Sequence, residues 1–106
     1  MPDIADRARA VAALRFRALG DETRLRLLEI LTGGERCVSD LMDELGLGQS
    51  LVSHHLRALR EAGLVTVRRE GRRIHYAISE PALGAVRLVV YELAPLHTGS
   101  NRADTE

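Results

Sequence analysis

The sequence contains no lysine, no tryptophan, a single cysteine and very few aromatic residues. Its aromatic side chains are Phe16, Tyr76 and Tyr91, which make up 3% of the 106 residues. Single-stranded nucleic acids and sugars are commonly held by stacking on aromatic rings, so the composition disfavours both ligands. Because Cys37 has no second cysteine to pair with, a disulfide within the chain is excluded.

Long apolar runs are missing as well. No stretch approaches the roughly 20 apolar residues that span a bilayer, and the first ten residues, MPDIADRARA, lack the uninterrupted apolar run of a signal peptide. We therefore expect a cytoplasmic protein without a membrane segment. A chain that is 45% hydrophobic and 28% charged is typical of globular proteins. We predict one domain over residues 1–97, followed by a disordered tail over residues 98–106.

The formal net charge is zero, from 15 arginines and 15 acidic residues, but the two signs are separated along the chain. Residues 49–79 hold six arginines and two acidic residues, whereas the rest of the chain holds nine arginines and thirteen acidic residues. One basic surface on an otherwise acidic body is typical of a phosphate-binding face. The distribution favours a nucleic-acid partner over the plain alternative, a random mixture of solvated charges.

Apolar residues recur at helical spacing in five segments, and a change of period marks one hairpin. The predicted helices cover residues 4–19, 22–32, 40–45, 49–62 and 80–96. Asp21, Ser39 and Ser79 are the candidate N-caps, and a glycine follows each of the first four helices. Residues 64–69 and 73–78 form β-compatible runs around a basic tip.

A short helix, a tight turn, a longer helix and a basic hairpin together predict a winged helix-turn-helix. The predicted fold class is therefore mostly α with a small β-hairpin (α+β). In that arrangement residues 49–62 form the recognition helix, which enters the DNA major groove. The hairpin, residues 64–78, forms the wing, which reaches the DNA backbone or the adjacent minor groove.

The recognition helix separates apolar from polar side chains when it is placed on a wheel at about 100° per residue. Its apolar side holds Leu51, Val52, Leu56, Ala58, Leu59 and Ala62. Polar residues that can read base edges or hold phosphates lie on the other side or at the entrance. With the wing arginines, the predicted DNA-binding residues are Gln49, Ser50, Ser53, His54, Arg57, Arg68, Arg69, Arg72 and Arg73.

Two adjacent histidines in this helix have different predicted roles. His54 and His55 lie about 100° apart, so they cannot easily bind one metal ion. His55 falls on the apolar side, which predicts a packed histidine with a backbone partner. His54 faces outward and is assigned to DNA.

Several motifs between residues 16 and 78 together resemble one regulatory family. They are ALGDETR before the second helix, E-x-CVSDL at the third, QS-x-VSHHL-x-x-LREAGLV across the recognition helix and RREGR-x-x-x-Y in the wing. The chain is similar in these motifs to the ArsR/SmtB family of bacterial transcriptional regulators. The resemblance implies a homodimer, joined through the first and last helices, that binds double-stranded operator DNA and usually represses transcription. In many members an inducer, often a metal ion, releases the DNA.

The residues of the last helix also predict a dimer. Its apolar stripe is too broad for one small domain to cover, and pairing with a second copy would bury it. The alternative is that the stripe closes the core of the monomer. The predicted interface residues are Leu83, Val86, Val89, Val90 and Leu93.

The metal sites that the resemblance implies are incomplete in this sequence. One family site uses a C-x-C pair where this chain has Cys37, Val38 and Ser39, and a second uses histidines of the last helix that are missing here. The scattered candidates that remain are His97, Glu92, His75 and Cys37. Nitrogen and oxygen ligands of this kind would suit nickel or zinc.

Two other function classes stay open at this stage. A winged-helix module for protein contacts would bind its partner without strong salt dependence. An enzyme is disfavoured, because no nucleophile and base, phosphate loop or H-E-x-x-H spacing occurs. Within the regulator class, the sequence leaves open the small effector or partner protein, and whether the protein represses or activates.

Overall fold

The computed structural model describes residues 3–96, which form five helices and three strands. The elements, in chain order, are α1 (Ile4–Leu19), α2 (Glu22–Leu31), β1 (Arg36–Cys37), α3 (Val38–Leu45), α4 (Gln49–Glu61), β2 (Val65–Glu70), β3 (Arg73–Ile78) and α5 (Glu80–Leu93). The five predicted helices and the hairpin are all present. The predicted tail, 98–106, lies outside the described residues.

The sheet has three antiparallel strands in the order β1, β3, β2, so the wing hairpin is joined by a strand that the sequence did not predict. β1 is only two residues long and pairs Arg36 with Tyr76 and Cys37 with His75. Two residues are too few to display an alternating pattern, which is why sequence periodicity missed this strand.

β1 also moves the start of the next helix. Ser39 is not the N-cap of α3; Cys37 is, and its side chain makes no capping hydrogen bond. Because Cys37 belongs to the sheet, its backbone is already extended (φ −83°, ψ 162°), and the helix begins at the next residue. At the other end, Gly46 has a φ of +68°, the left-handed conformation that turns the chain toward α4.

The last helix is shorter than predicted, ending at Leu93 rather than Leu96. Ala94 leaves the helical region (φ −142°, ψ 73°) because it precedes Pro95, whose ring disfavours helical backbone in the residue before it. At the start of α5, Ser79 accepts a hydrogen bond from the backbone N–H of Ala82, as predicted for an N-cap.

An aliphatic core holds the helices against the sheet. Its six largest fully buried side chains are Leu27, Leu41, Val52, Leu56, Leu59 and Leu64. α1 closes one end of this core, where Arg15 Nε donates to the carbonyl oxygen of Ala62 over 3.1 Å and satisfies the end of α4. No helix within residues 3–96 is long and apolar enough to cross a membrane.

Candidate nucleic-acid interface

Helix α4 buries one face and exposes the other, as its sequence pattern predicts. Val52, Leu56 and Leu59 are completely buried, which fixes the rotation of the helix. Leu51, predicted on the apolar side, is 45% exposed because it lies at the edge of that side, about 100° from Val52. The outward side chains line one open depression of about 350 Å³, formed by Gln49, Ser50, Ser53, His54 and Arg57.

The first turn of α4 is electrostatically suited to an anion. Gly48 is its N-cap, so no side chain satisfies the first backbone N–H groups, and the first turn holds no acidic residue. The positive end of the helix dipole therefore stays available beside Gln49 and Ser50.

His55 is buried, as predicted, but its partner is a side chain and not the backbone. Arg24 Nε donates to His55 Nδ1 over 3.2 Å, and Asp21 Oδ2 lies 3.7 Å from the same nitrogen. Burial lowers the pKa of His55, although the carboxylate of Asp21 acts in the opposite direction. Asp21 also caps α2 by accepting from the Arg24 backbone N–H, which holds the pKa of this carboxyl below its usual value.

The wing arginines differ in how they are engaged. Within residues 3–96, the exposed side chains of Arg69 and Arg72 make no ion pair or hydrogen bond. Arg73 is exposed, and its Nη1 lies 3.9 Å from Cys37 Sγ. Arg68 instead makes two hydrogen bonds to Glu35, which the sequence did not reveal because the two residues lie 33 positions apart.

Helix α4 and the wing share one cleft of about 320 Å³, which lies between them and the start of α3. Gln49 and Ser53 line it from α4, and Arg72 and Arg73 line it from the wing. The two parts of the predicted DNA-binding surface therefore meet on one side of the molecule. Cys37 lies in the wall of this cleft, with its Sγ 3.2 Å from Ser39 Oγ.

A second surface, on α1 and α5, is apolar. The two helices border a groove of about 350 Å³ lined by Val11 and Leu88, among others. Of the predicted interface residues, Val90 and Leu93 are 49% and 80% exposed, and Leu83 and Val89 are partly buried. Val86, in contrast, is only 9% exposed and belongs to the core of the protomer. Leu88 and Tyr91, which are not among the predicted interface residues, are also about half exposed on this helix.

The described residues of one chain do not fit a metal centre. Residues 3–96 bring no three His, Cys, Asp or Glu side chains together in a way that could hold an ion. Cys37 and His75 are direct partners in the sheet, but Ser39 stands beside the only thiol. Glu92 lies on the exposed end of α5, and His97 lies outside the described residues.

Comparison with known proteins agrees with this architecture. The family model for bacterial regulatory proteins of the arsR family matches residues 21–67. A probable mercury resistance operon repressor from Streptomyces lividans is 37% identical over 79 residues, covering 74% of this chain and 63% of that protein. An arsenical resistance operon repressor from Escherichia coli is 45% identical over 65 residues, covering 60% of this chain and 56% of that protein. The chain thus spans less than two-thirds of the length of either repressor.

Among solved structures, one likeness extends over nearly the whole chain. It is the solution structure of a homodimeric winged helix-turn-helix DNA-binding domain from Mycobacterium bovis, a possible ArsR-family regulator. The identity is 31% and the TM-score 0.74, over 95% of this chain and 96% of that one. With its helix-turn-helix, its wing and these relatives, the chain belongs to the ArsR family of bacterial regulatory proteins, which are DNA-binding transcription factors and not enzymes.

Proposed function

We propose that the protein is a homodimeric repressor that binds a dyad-symmetric operator in double-stranded DNA. The observation that carries this proposal is the shared surface of α4 and the wing. Five polar side chains of α4 line one depression, and the unpaired guanidinium groups of Arg69 and Arg72 lie on the adjacent wing. Side chains that read bases and side chains that hold phosphates thus occupy the same side of the molecule.

Within this proposal the two parts of the surface have different tasks. Ser53, His54 and Arg57 project from α4, so they reach base edges in the major groove. Gln49 and Ser50, at the start of α4, and the wing arginines Arg69, Arg72 and Arg73 hold the backbone. Arg68 differs from these three arginines, because its Nε and Nη2 already donate to Glu35.

The apolar surface of α1 and α5 supports the dimer. Val90, Tyr91 and Leu93 are 49–80% exposed, which is unusual for large apolar side chains that lie so close together. A second copy related by a two-fold axis would bury these side chains against their own equivalents. The same axis would relate the α4 helices of the two protomers, so that each helix contacts one operator half-site.

The proposed effector is a small molecule or ion that releases the DNA. The names of the Streptomyces lividans and Escherichia coli repressors refer to resistance to two different elements, mercury and arsenic, so they indicate no single ion. Since residues 3–96 of one chain assemble no metal centre, a nickel or zinc ion would need ligands from both protomers or from the last ten residues.

The proposal is tested by binding to promoter DNA at a series of salt concentrations. The wild-type dimer should bind one duplex sequence specifically, and with about six phosphate contacts the slope of log affinity against log salt should be near −5. Arg72→Ala should weaken binding to specific and non-specific duplex alike. Arg26→Ala is the matched control, because Arg26 is an exposed arginine on α2.

The outcomes separate the function classes. Affinity for duplex that stays constant while the salt concentration rises would contradict the proposal and favour a module for protein contacts. Equal losses of DNA affinity in Arg26→Ala and Arg72→Ala would indicate that the wing does not contact the DNA.

A further inference from the structure

A charged cluster joins the wing to the turn after α2. Arg68 of β2 donates from Nε to Glu35 Oε2 over 3.0 Å and from Nη2 to Glu35 Oε1 over 2.7 Å. Glu35 precedes β1, so this pair reaches from one edge strand of the sheet, past β3, to the other. The same Nη2 lies 3.6 Å from Glu70 Oε1.

His75 of β3 lies inside this cluster. It stands directly opposite Cys37 on one side and Arg68 on the other, so the three side chains share one face of the sheet. His75 Nδ1 is 3.8 Å from Glu35 Oε1, and Nε2 is 3.4 Å from Glu70 Oε1. Only 14% of the His75 side chain is exposed, so the carboxylates are packed against it.

One edge of the Arg68 guanidinium, formed by Nε and Nη2, is therefore already occupied. Two parallel hydrogen bonds to one carboxylate form the strong, directional arrangement that arginine makes with carboxylates or phosphates. The hydrogen bonds from Arg68 lower the pKa of the Glu35 carboxyl, and Glu35 raises the pKa of Arg68. A DNA phosphate could accept two parallel hydrogen bonds from Nε and Nη2 of Arg68 only by displacing Glu35. Arg69 and Arg72 face no such competitor among the described residues.

We propose that Glu35 and Arg68 are positioning residues that hold the base of the wing, and that Arg68 does not itself contact DNA phosphate. β1 contributes only two residues to the sheet, so few backbone hydrogen bonds hold that edge. The Glu35–Arg68 pair adds a side-chain connection across all three strands. The inference rests on the proposed function, since it assigns the phosphate contacts to Arg69 and Arg72. The Glu35–Arg68 pair holds the wing that carries these two arginines.

The first test compares salt slopes for operator binding. Arg72→Ala should reduce the slope by about one, the signature of a lost phosphate contact. Arg68→Ala and Glu35→Gln should each weaken binding by about two- to fivefold with an unchanged slope. The double variant should lose no more DNA affinity than either single variant, because both substitutions break the same Glu35–Arg68 contact. The swapped pair Glu35→Arg with Arg68→Glu should recover part of the affinity.

Glu35→Gln distinguishes the two roles of Arg68 by the sign of its effect. If Arg68 were a phosphate contact held back by Glu35, removing the negative charge would strengthen DNA binding. Stronger binding by Glu35→Gln, or a slope for Arg68→Ala that falls as it does for Arg72→Ala, would overturn the inference. Thermal unfolding monitored by circular dichroism should show that all the variants are folded.

The second test needs no DNA and so separates this inference from the proposed function. In the free protein, amide hydrogen exchange in residues 65–78 should be faster in Arg68→Ala and Glu35→Gln than in wild type, and unchanged in Arg72→Ala. Unchanged exchange in the first two variants would overturn the positioning role. If exchange changes as expected but wild type binds no duplex, the proposed function fails and the structural role of the pair stands.

Discussion

Arg24 Nε donates a hydrogen bond to His55 Nδ1 over 3.2 Å, and this contact links the start of α2 to the buried face of α4. An imidazole nitrogen that accepts a hydrogen bond carries no proton, so the contact requires His55 to be neutral. A protonated His55 would turn a second donor toward Arg24. The helix that carries the proposed base-reading residues is thus oriented by a histidine whose pKa is lowered by burial.

This contact predicts a loss of stability in mild acid. Burial lowers the pKa of His55 below its usual 6.5, so the unfolded chain takes up the proton more readily than the folded protein. The resulting stability is fully present above pH 6.5 and decreases as the pH falls through the folded pKa. Urea unfolding should therefore have a lower midpoint at about pH 5.5 than at about pH 7.5.

His55→Gln keeps an acceptor for Arg24 but does not titrate, so it should lose this part of the pH dependence. His54→Gln is the matched control on the same helix, and it should keep most of the pH dependence, because His54 contributes least to the lowered pKa of His55. An undiminished pH dependence in His55→Gln would assign the effect to another group.

The two leucines at the edge and centre of the apolar side of α4 should differ in their contribution to stability. Leu56 is completely buried, so Leu56→Ala should lower the free energy of unfolding by about 2–5 kcal/mol. Leu51 is 45% exposed, and Leu51→Ala should change it by less than about 1 kcal/mol. Chemical denaturation of both variants measures the difference, and equal losses would contradict the rotation of α4 described above.

Dimer formation should depend on α5. Val90 is 49% exposed in the protomer, so Val90→Glu should leave the protomer folded but place unpaired charges against the partner copy. Sedimentation should then show a monomer. Leu25→Glu is the control, since Leu25 is 46% exposed but lies on α2, and this variant should stay dimeric. If Val90→Glu sediments as a dimer, α5 is not the interface.

Sequence preference should depend on Ser53. We expect Ser53→Ala to change the ranking of operator variants by about 1–3 kcal/mol at one base position, because Ser53 projects from α4. Arg72→Ala should weaken binding to all variants without changing their order. Quantitative binding to a set of single-substituted operators measures both. Identical affinity profiles for wild type and Ser53→Ala over these operators would contradict a role for Ser53 in base recognition.

Metal binding should not depend on Cys37 alone. One sulfur with a hydroxyl beside it leaves most of a coordination shell unfilled, so Cys37→Ser should keep any nickel or zinc affinity that the wild type has. Calorimetric titration of wild type, Cys37→Ser and His97→Ala tests this. Complete loss of binding in Cys37→Ser with unchanged binding in His97→Ala would contradict the prediction and assign the site to Cys37. No binding by wild type would point to an effector that is not a metal ion.

Local sequence patterns were enough to predict the five helices, the wing hairpin and the polar side of α4. Helical periodicity, caps such as Asp21 and Ser79, and breakers such as Gly46 act within a few residues, so they can be read without knowing the fold. The same holds for the wing, whose strands and turn are contiguous. The rotation of α4 follows from Val52, Leu56 and Leu59 because a buried face must be apolar.

Contacts between residues far apart in the chain depend on the tertiary packing. Glu35 and Arg68 are 33 positions apart, and Arg24 and His55 are 31 apart, so no local pattern indicates either contact. The same is true of β1, which exists because two residues find a partner in β3, and whose formation moves the N-cap of α3 to Cys37. Hydrophobic periodicity depends on the chain alone, whereas a salt bridge or a strand pair depends on where the rest of the chain has packed.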